Sequence, residues 1–415
     1  MDAPTVRRRT SLVVAVAMAF LLAACDIGWE GPSYEGASGS PSGSKPESKV
    51  WFHDGRWWGS LYDTASGDHH IFWLDVAAGQ WHDTGVPLDP RPNSRADVLW
   101  DGSHLYVASH VFTDGSPRAG RPSQLHRFSY DDAQDTWRPD PGFPEVINDV
   151  ATETLVIDKD ATGRLWATWV QDGTVLVTST TNVDRGWAAP SAVPGATGLD
   201  SDDISSLVAF TSPTGPRVGV MWSDQNSETV RFTSRLALDP VGLWSPTEIA
   251  FSGPRAADDH ISMRAVQDIG GRLLAVVKTS ASGGSNALVV VLDRTATGSW
   301  SAHPFGTVAD AHTRPVLAVD AEQRIVHVFA TSGQSGGSIY EKTAPLDDLV
   351  FPPGVGREVL KDEDSPDINN ATTTKQLVSS ATGLVVVATN DSTRRYWTHH
   401  DPLAPPPPTD ERAEG

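Results

Sequence analysis

One pattern repeats seven times along this chain. Each unit opens with a short apolar strand, turns at Asp or Gly, and resumes as a second apolar strand. The units begin at Val50, Asp97, Thr154, Ser206, Met263, Pro315 and Lys375. Most continue into a third strand, such as His70-Ile-Phe-Trp-Leu-Asp75 or Leu288-Val-Val-Val-Leu-Asp293, and the first five close on Trp81, Trp137, Trp187, Trp244 and Trp300. A repeat of roughly 47 to 60 residues that makes a four-stranded meander cannot bury two apolar faces alone. Like sheets packed face to face around an axis bury both faces and leave only short edges. Helical periodicity is nearly absent, and 36 glycines with 30 prolines suit many turns. The expected fold is therefore all-β, a β-propeller of seven four-stranded blades over residues 49–401. Six or eight blades stay open, because the last unit has three obvious strands, ending at Arg395-Tyr-Trp-Thr-His-His400. A strand from the segment near Tyr34 would complete it and close the ring.

The ends differ from this core. Arg7-Arg8-Arg9, an apolar run from Leu12 to Ala24 and a small-residue stretch have the layout of a secretory signal over residues 1–24. The run is shorter than the roughly 20 residues of a spanning helix. Leu22-Ala-Ala-Cys25 resembles a bacterial lipobox, which implies cleavage before Cys25 and lipid attachment to it. Arg8-Arg9 also resembles a twin-arginine export signal, although the residues after the pair differ. The general secretory route and the twin-arginine route both stay open. Cys25 is the only cysteine, so no internal disulfide is available. Residues 25–48 are rich in Gly, Ser and Pro and read as a flexible tether. Residues 402–415 read as a disordered, proline-rich tail. The expected location is the outer face of the bacterial plasma membrane, with the lipid on Cys25 as the bilayer contact. The formal charge is −20, and removing a leader that carries three arginines against Asp2 leaves about −22. Such a chain repels nucleic acid and anionic lipid surfaces.

Thr180-Thr-Asn182-Val-Asp184-Arg-Gly-Trp187 follows the pattern Ser/Thr, any, Asp/Asn, any, Gly/Asp, any, any, aromatic. On these residues the chain resembles the Asp-box (BNR-repeat) sialidase-like propellers over about 50–400. Degraded copies run from Asp132 to Trp137 and from Asp239 to Trp244. The resemblance implies a structural role for Thr180, Asn182, Asp184 and Trp187: the Asx side chain caps the turn and the indole packs between blades. It does not imply sialidase activity, because the family's Arg-Ile-Pro occurs nowhere in this chain.

In such a ring, the loops that lead into each inner strand surround the axis on one face. Here those loops are polar, and they nominate a funnel of Arg95, Asp97, Asp149, Asp203, Asp259, His260, Arg264, His312, Arg314 and Asn369. Arg95, Arg264 and Arg314 start inner strands at similar positions, as a clamp for an acidic sugar would need. His260 and His312 sit one blade apart, but two histidines without a third ligand do not define a metal site. No cofactor and no metal are expected, and no catalytic residue is nominated. Turn capping explains the same Asx residues equally well. Three functions stay open: a surface propeller binding extracellular glycan or a partner protein, a glycoside hydrolase with an atypical site, and an envelope assembly scaffold.

Overall fold

The computed structural model describes residues 27–405 except 44, 115–117, 241 and 267–269. The leader, Cys25 and residues 406–415 lie outside the described residues. Seven antiparallel sheets form a ring, each a four-stranded blade at its core, with one short extra strand in blades two and three. The inner strands are Val50–His53, Ser94–Trp100, Val156–Lys159, Ser205–Ser212, Ile261–Val266, His312–Asp320 and Ile368–Thr372, in blades one to seven. Among the described residues, helix is confined to one short 3-10 turn, Val308–Asp310. No helix among the described residues is long and apolar enough to cross a membrane.

Blade seven takes its outermost strand from the other end of the chain. Trp29–Ser33 pairs antiparallel with Arg395–Asp401, Trp29 opposite Thr398 and Ser33 opposite Arg395. The Tyr34 hydroxyl then donates to the Asp391 carboxylate at 2.7 Å and lies 2.8 Å from the Asn390 carbonyl. The outer edge of Arg395–Asp401 is thus paired, and blade seven reaches the four strands of the other blades, with a five-residue strand as its short outer edge.

Packing between blades follows the tryptophans. Trp137 of blade two lies 5.8 Å from Trp51 and 5.7 Å from Trp58 of blade one, ring centre to ring centre, and 5.4 Å from Trp100. Trp51, Trp57, Trp58, Trp137, Trp169 and Trp222 are all fully buried. Each such side chain removes a large apolar area from water, about 25 cal/mol per Å².

The segment expected to be a flexible tether is part of the ring. Ser40, Ser42, Glu47 and Ser48 are buried. Its composition is poor in apolar residues, but its polar groups find fixed partners on other blades, and those contacts order it.

Candidate functional site

Two faces flank the axis. One carries the entry loops, which lead from the outer strand of one blade to the inner strand of the next. The other carries the return turns, between each inner strand and its second strand.

The entry-loop face is where the sequence places a funnel, and the chain's own residues fill it. After Tyr34 the backbone crosses toward the axis. Ser38 donates its N–H to the Pro92 carbonyl, and Ser40 Oγ donates to Asp391 at 2.6 Å. The Lys45 ammonium reaches across the channel to Glu153 at 2.5 Å and to Asp259. Deeper, Glu47 accepts from Lys49 Nζ at 2.7 Å, from the Leu155 N–H at 2.9 Å, and lies 2.7 Å from His110 Nε2. Ser48 donates its N–H to Asp97 Oδ1 at 2.9 Å. Burial opposes ionisation of Glu47, but the Lys49 and His110 charges outweigh it and bring its carboxyl down to about 2. Glu153 goes the other way: burial pushes it up to about 6 despite Lys45.

The nominated residues scatter accordingly. Asp97 is wholly buried under the plug; it accepts from Ser48 and from the Ile157 N–H, and it pairs with Lys375. Burial raises its carboxyl, with Lys375 opposing. Arg95 lies over the Phe112 ring at 3.6 Å, and burial brings it down to about 10. Asp149 is exposed on the outer strand Glu145–Ala151, away from the axis. Asp203 accepts the N–H groups of Asp200 and Gln225, a turn cap, and burial raises it to about 6. Asp259 pairs with Lys45 and, at 2.5 Å, with His260. His260 also meets Asp258 at 2.9 Å. His312 is buried and donates from Nε2 to the Val355 carbonyl at 3.0 Å, so the two histidines each serve their own blade. Arg314 adopts a left-handed backbone and donates to the Gln334 carbonyl. Asn369 accepts from Thr331 Oγ1 at 2.9 Å. Arg264 points elsewhere, to the other end of the channel, so the three arginines do not converge into a clamp.

Thr180–Trp187 forms the hairpin between the third and fourth strands of blade three, with Thr180 opposite Trp187. The turn differs from expectation in one respect. Asn182 is exposed. Thr180 donates its hydroxyl to the Val183 carbonyl within the turn. Asp184 leaves the turn and joins blade two, accepting from Tyr106 at 2.8 Å and from Arg127 at 2.6 Å. Asx capping is seen instead at Asp75, Asp101, Asp131 and Asp160, whose carboxylates accept N–H groups two to four residues on.

The return-turn face is open. A cavity of about 540 Å³ runs into the axis there, within the ordinary range for small-ligand sites. Its walls include Trp51 and Trp100, the latter half-buried, with Ala209 and Ala265 opposite. Its floor carries Lys375, Arg264 and Asp158. Arg264 donates from Nε and Nη2 to the Thr374 carbonyl at 3.1 and 2.9 Å, and from Nη1 to the Met263 carbonyl. Asp158 accepts from the N–H groups of Lys159 and Ala209, at 2.8 and 2.7 Å. Burial raises its carboxyl, and it brings Arg264 down to about 10. At the mouth, Lys159 pairs with Asp101 and donates to the Tyr106 hydroxyl.

Sequence reasoning missed Lys45, Glu47, Glu153 and Lys375 as axial residues and weighed Asp158 only with Asp160 as a calcium ligand, set aside because too few further oxygen ligands follow. The one signal was Lys45-Pro-Glu47-Ser-Lys49, alternating charge in a stretch otherwise Gly, Ser and Pro.

No protein-family model and no curated protein sequence matches the chain. Solved structures share its chain path at low identity. Hydrazine synthase of Kuenenia stuttgartiensis is 9% identical, over 89% of this chain and 98% of that one, with a TM-score of 0.51. The polysaccharide lyase Uly1 is 12% identical, over 86% and 90%, with a TM-score of 0.48. A fungal lectin from Aleuria aurantia, a six-bladed propeller with a novel mode of fucose recognition, is 12% identical over 74% and 91%, with a TM-score of 0.47. At such identities the likeness is one of fold alone.

Proposed function

We propose that this protein is an exported propeller, held by lipid on Cys25 at the outer face of a bacterial plasma membrane, that binds extracellular glycan in the axial cavity of its return-turn face. The observation that carries this reading is the cavity itself. It combines an indole edge with fixed donors and fixed acceptors, the mixture that a sugar ring's apolar face and hydroxyls need. The cavity carboxylates spend oxygens on fixed partners: Asp101 on its turn and Lys159, Asp158 on two backbone N–H groups, and Asp160 on its turn and the Trp166 indole N–H. Groups held this way suit recognition better than proton transfer, so binding is favoured over hydrolysis.

The test is an array of glycans and cell-wall polymers probed with soluble protein that starts at Asp26. Ala265→Phe projects bulk into the cavity without removing any of these bonds. It is expected to weaken a selective hit at least tenfold; undiminished binding would move the site elsewhere. Cys25→Ser is expected to release the protein from membranes into the medium, and retention on the membrane would refute the anchor.

A further inference from the structure

The axial channel is closed at one end by the chain itself. Described residues 42–43 and 45–49 occupy its entry-loop half, where Ser42 bonds Thr389 at 2.9 Å and Thr372 donates to the Glu47 carbonyl at 3.2 Å. Ser48 Oγ donates to the Thr373 carbonyl at 2.6 Å, and Pro46 forms part of the inner end of the open cavity. Among the described residues, the way in and out of the cavity is therefore the return-turn face. A polymer cannot thread such a cavity; it can present only a terminus.

The cavity also continues sideways. A groove of about 390 Å³ shares Lys159, Asp160, Ala209 and Ala265 with it and runs on past Phe210 and Thr211 of blade four. A terminal unit in the axial cavity would place its successors along this groove.

Charge narrows the class of that terminus. Three carboxylates line the cavity, Asp101, Asp158 and Asp160, against three cations, Lys159, Arg264 and Lys375, with Asp97 buried behind Lys375. Lys159 and Lys375 are already paired with Asp101 and Asp97, and the charge of Arg264 lies in the field of Asp97 and Asp158. An incoming carboxylate would find no uncompensated cation and would have to displace a carbonyl or a carboxylate from one. Neutral hydroxyls, which donate and accept, meet no such opposition.

Resting on the glycan reading above, we infer that the cavity recognises the uncharged terminal unit of a linear glycan, end-on, with the next units in the groove between blades three and five. The experiment uses soluble protein from Asp26 and one set of linear gluco-, manno-, galacto- and N-acetylglucosamine oligosaccharides. Each is printed twice, attached through its reducing end or through its non-reducing end. A second series carries a terminal uronic acid on the same cores. The inference expects binding to one orientation only, at least tenfold weaker in the other, and at least tenfold weaker again with the uronic terminus. It also expects the free terminal monosaccharide to compete. Equal binding in both orientations would overturn end-on recognition while leaving glycan binding intact. Preference for the uronic terminus would overturn the charge argument. Silence across all spots would remove the glycan reading and this inference with it.

Discussion

The two ends of the axial channel are built from the same inner strands and the same kinds of residue, yet they have opposite fates. At the entry-loop end, Lys45, Glu47 and Lys49 arrive from the chain's N-terminal segment and tie Glu153, Asp259 and His110 into ion pairs. Among the described residues no such segment arrives at the return-turn end, and Lys375, Arg264 and Asp158 surround open volume. Polarity near a propeller axis is therefore no guide to function. What matters is whether the space between the polar groups is filled by the chain or left for a ligand, since Arg264, Asp158 and Lys375 also bond to the chain.

The contrast can be broken hardest at Glu47. Its carboxylate is fully buried and answers both Lys49 and His110. Glu47→Ala leaves a buried ammonium uncompensated, and removing one member of a buried pair costs about 3–5 kcal/mol. Denaturant unfolding is expected to show that loss, and a change below about 1 kcal/mol would mean that the plug does not hold the ring. Ala265→Phe at the open end is expected to cost much less, about 1–3 kcal/mol at most for added bulk beside empty volume.

The fold was readable because it is periodic. Strand, Asx turn and strand recur with enough regularity to count blades, and Tyr34 could be nominated as the closing segment because the last unit lacked a strand. The axial site was not readable, for a different physical reason. Asp97, Lys375 and Ile157 meet at the axis from blades two, seven and three, and that convergence leaves no spacing in the sequence. Arg95, Arg264 and Arg314 show the converse, for they look alike in the sequence. Arg95 is second in Ser94–Trp100, Arg264 fourth in Ile261–Val266 and Arg314 third in His312–Asp320 beside a bulge, so their side chains go to different ends of the channel or to its rim. Residues 31–48 misled through composition. Gly, Ser and Pro bury little apolar area, but Ser42, Glu47 and Ser48 are ordered by hydrogen bonds to residues up to hundreds of positions away. Low hydrophobicity argues for disorder only where no such partners exist.

The smallest effect is the most discriminating, because its sign runs against intuition. Glu153 pairs with Lys45, so removing its charge would be expected to weaken the plug. Burial, however, leaves its folded carboxyl at about 6, above an ordinary 4.5. Between those values the unfolded chain gives up this proton first, so the native state holds more protons and stability falls as pH rises. The contribution is complete above pH 6 and amounts to about 2 kcal/mol. Glu47 acts in the adjoining window with the opposite sign. Its folded carboxyl at about 2 gives stability that is full above 4.5 and lost as pH falls toward 2. Glutamine imitates the protonated form of Glu153 at every pH. Glu153→Gln is therefore expected to match the wild type near pH 4.5 and to exceed it by about 2 kcal/mol at pH 7, read from urea unfolding at a series of pH values. A variant less stable than the wild type at pH 7 would show that the Lys45 pair outweighs its burial cost. The closed end would then be held by net attraction at Glu153, and the weight now placed on Glu47 would have to be shared.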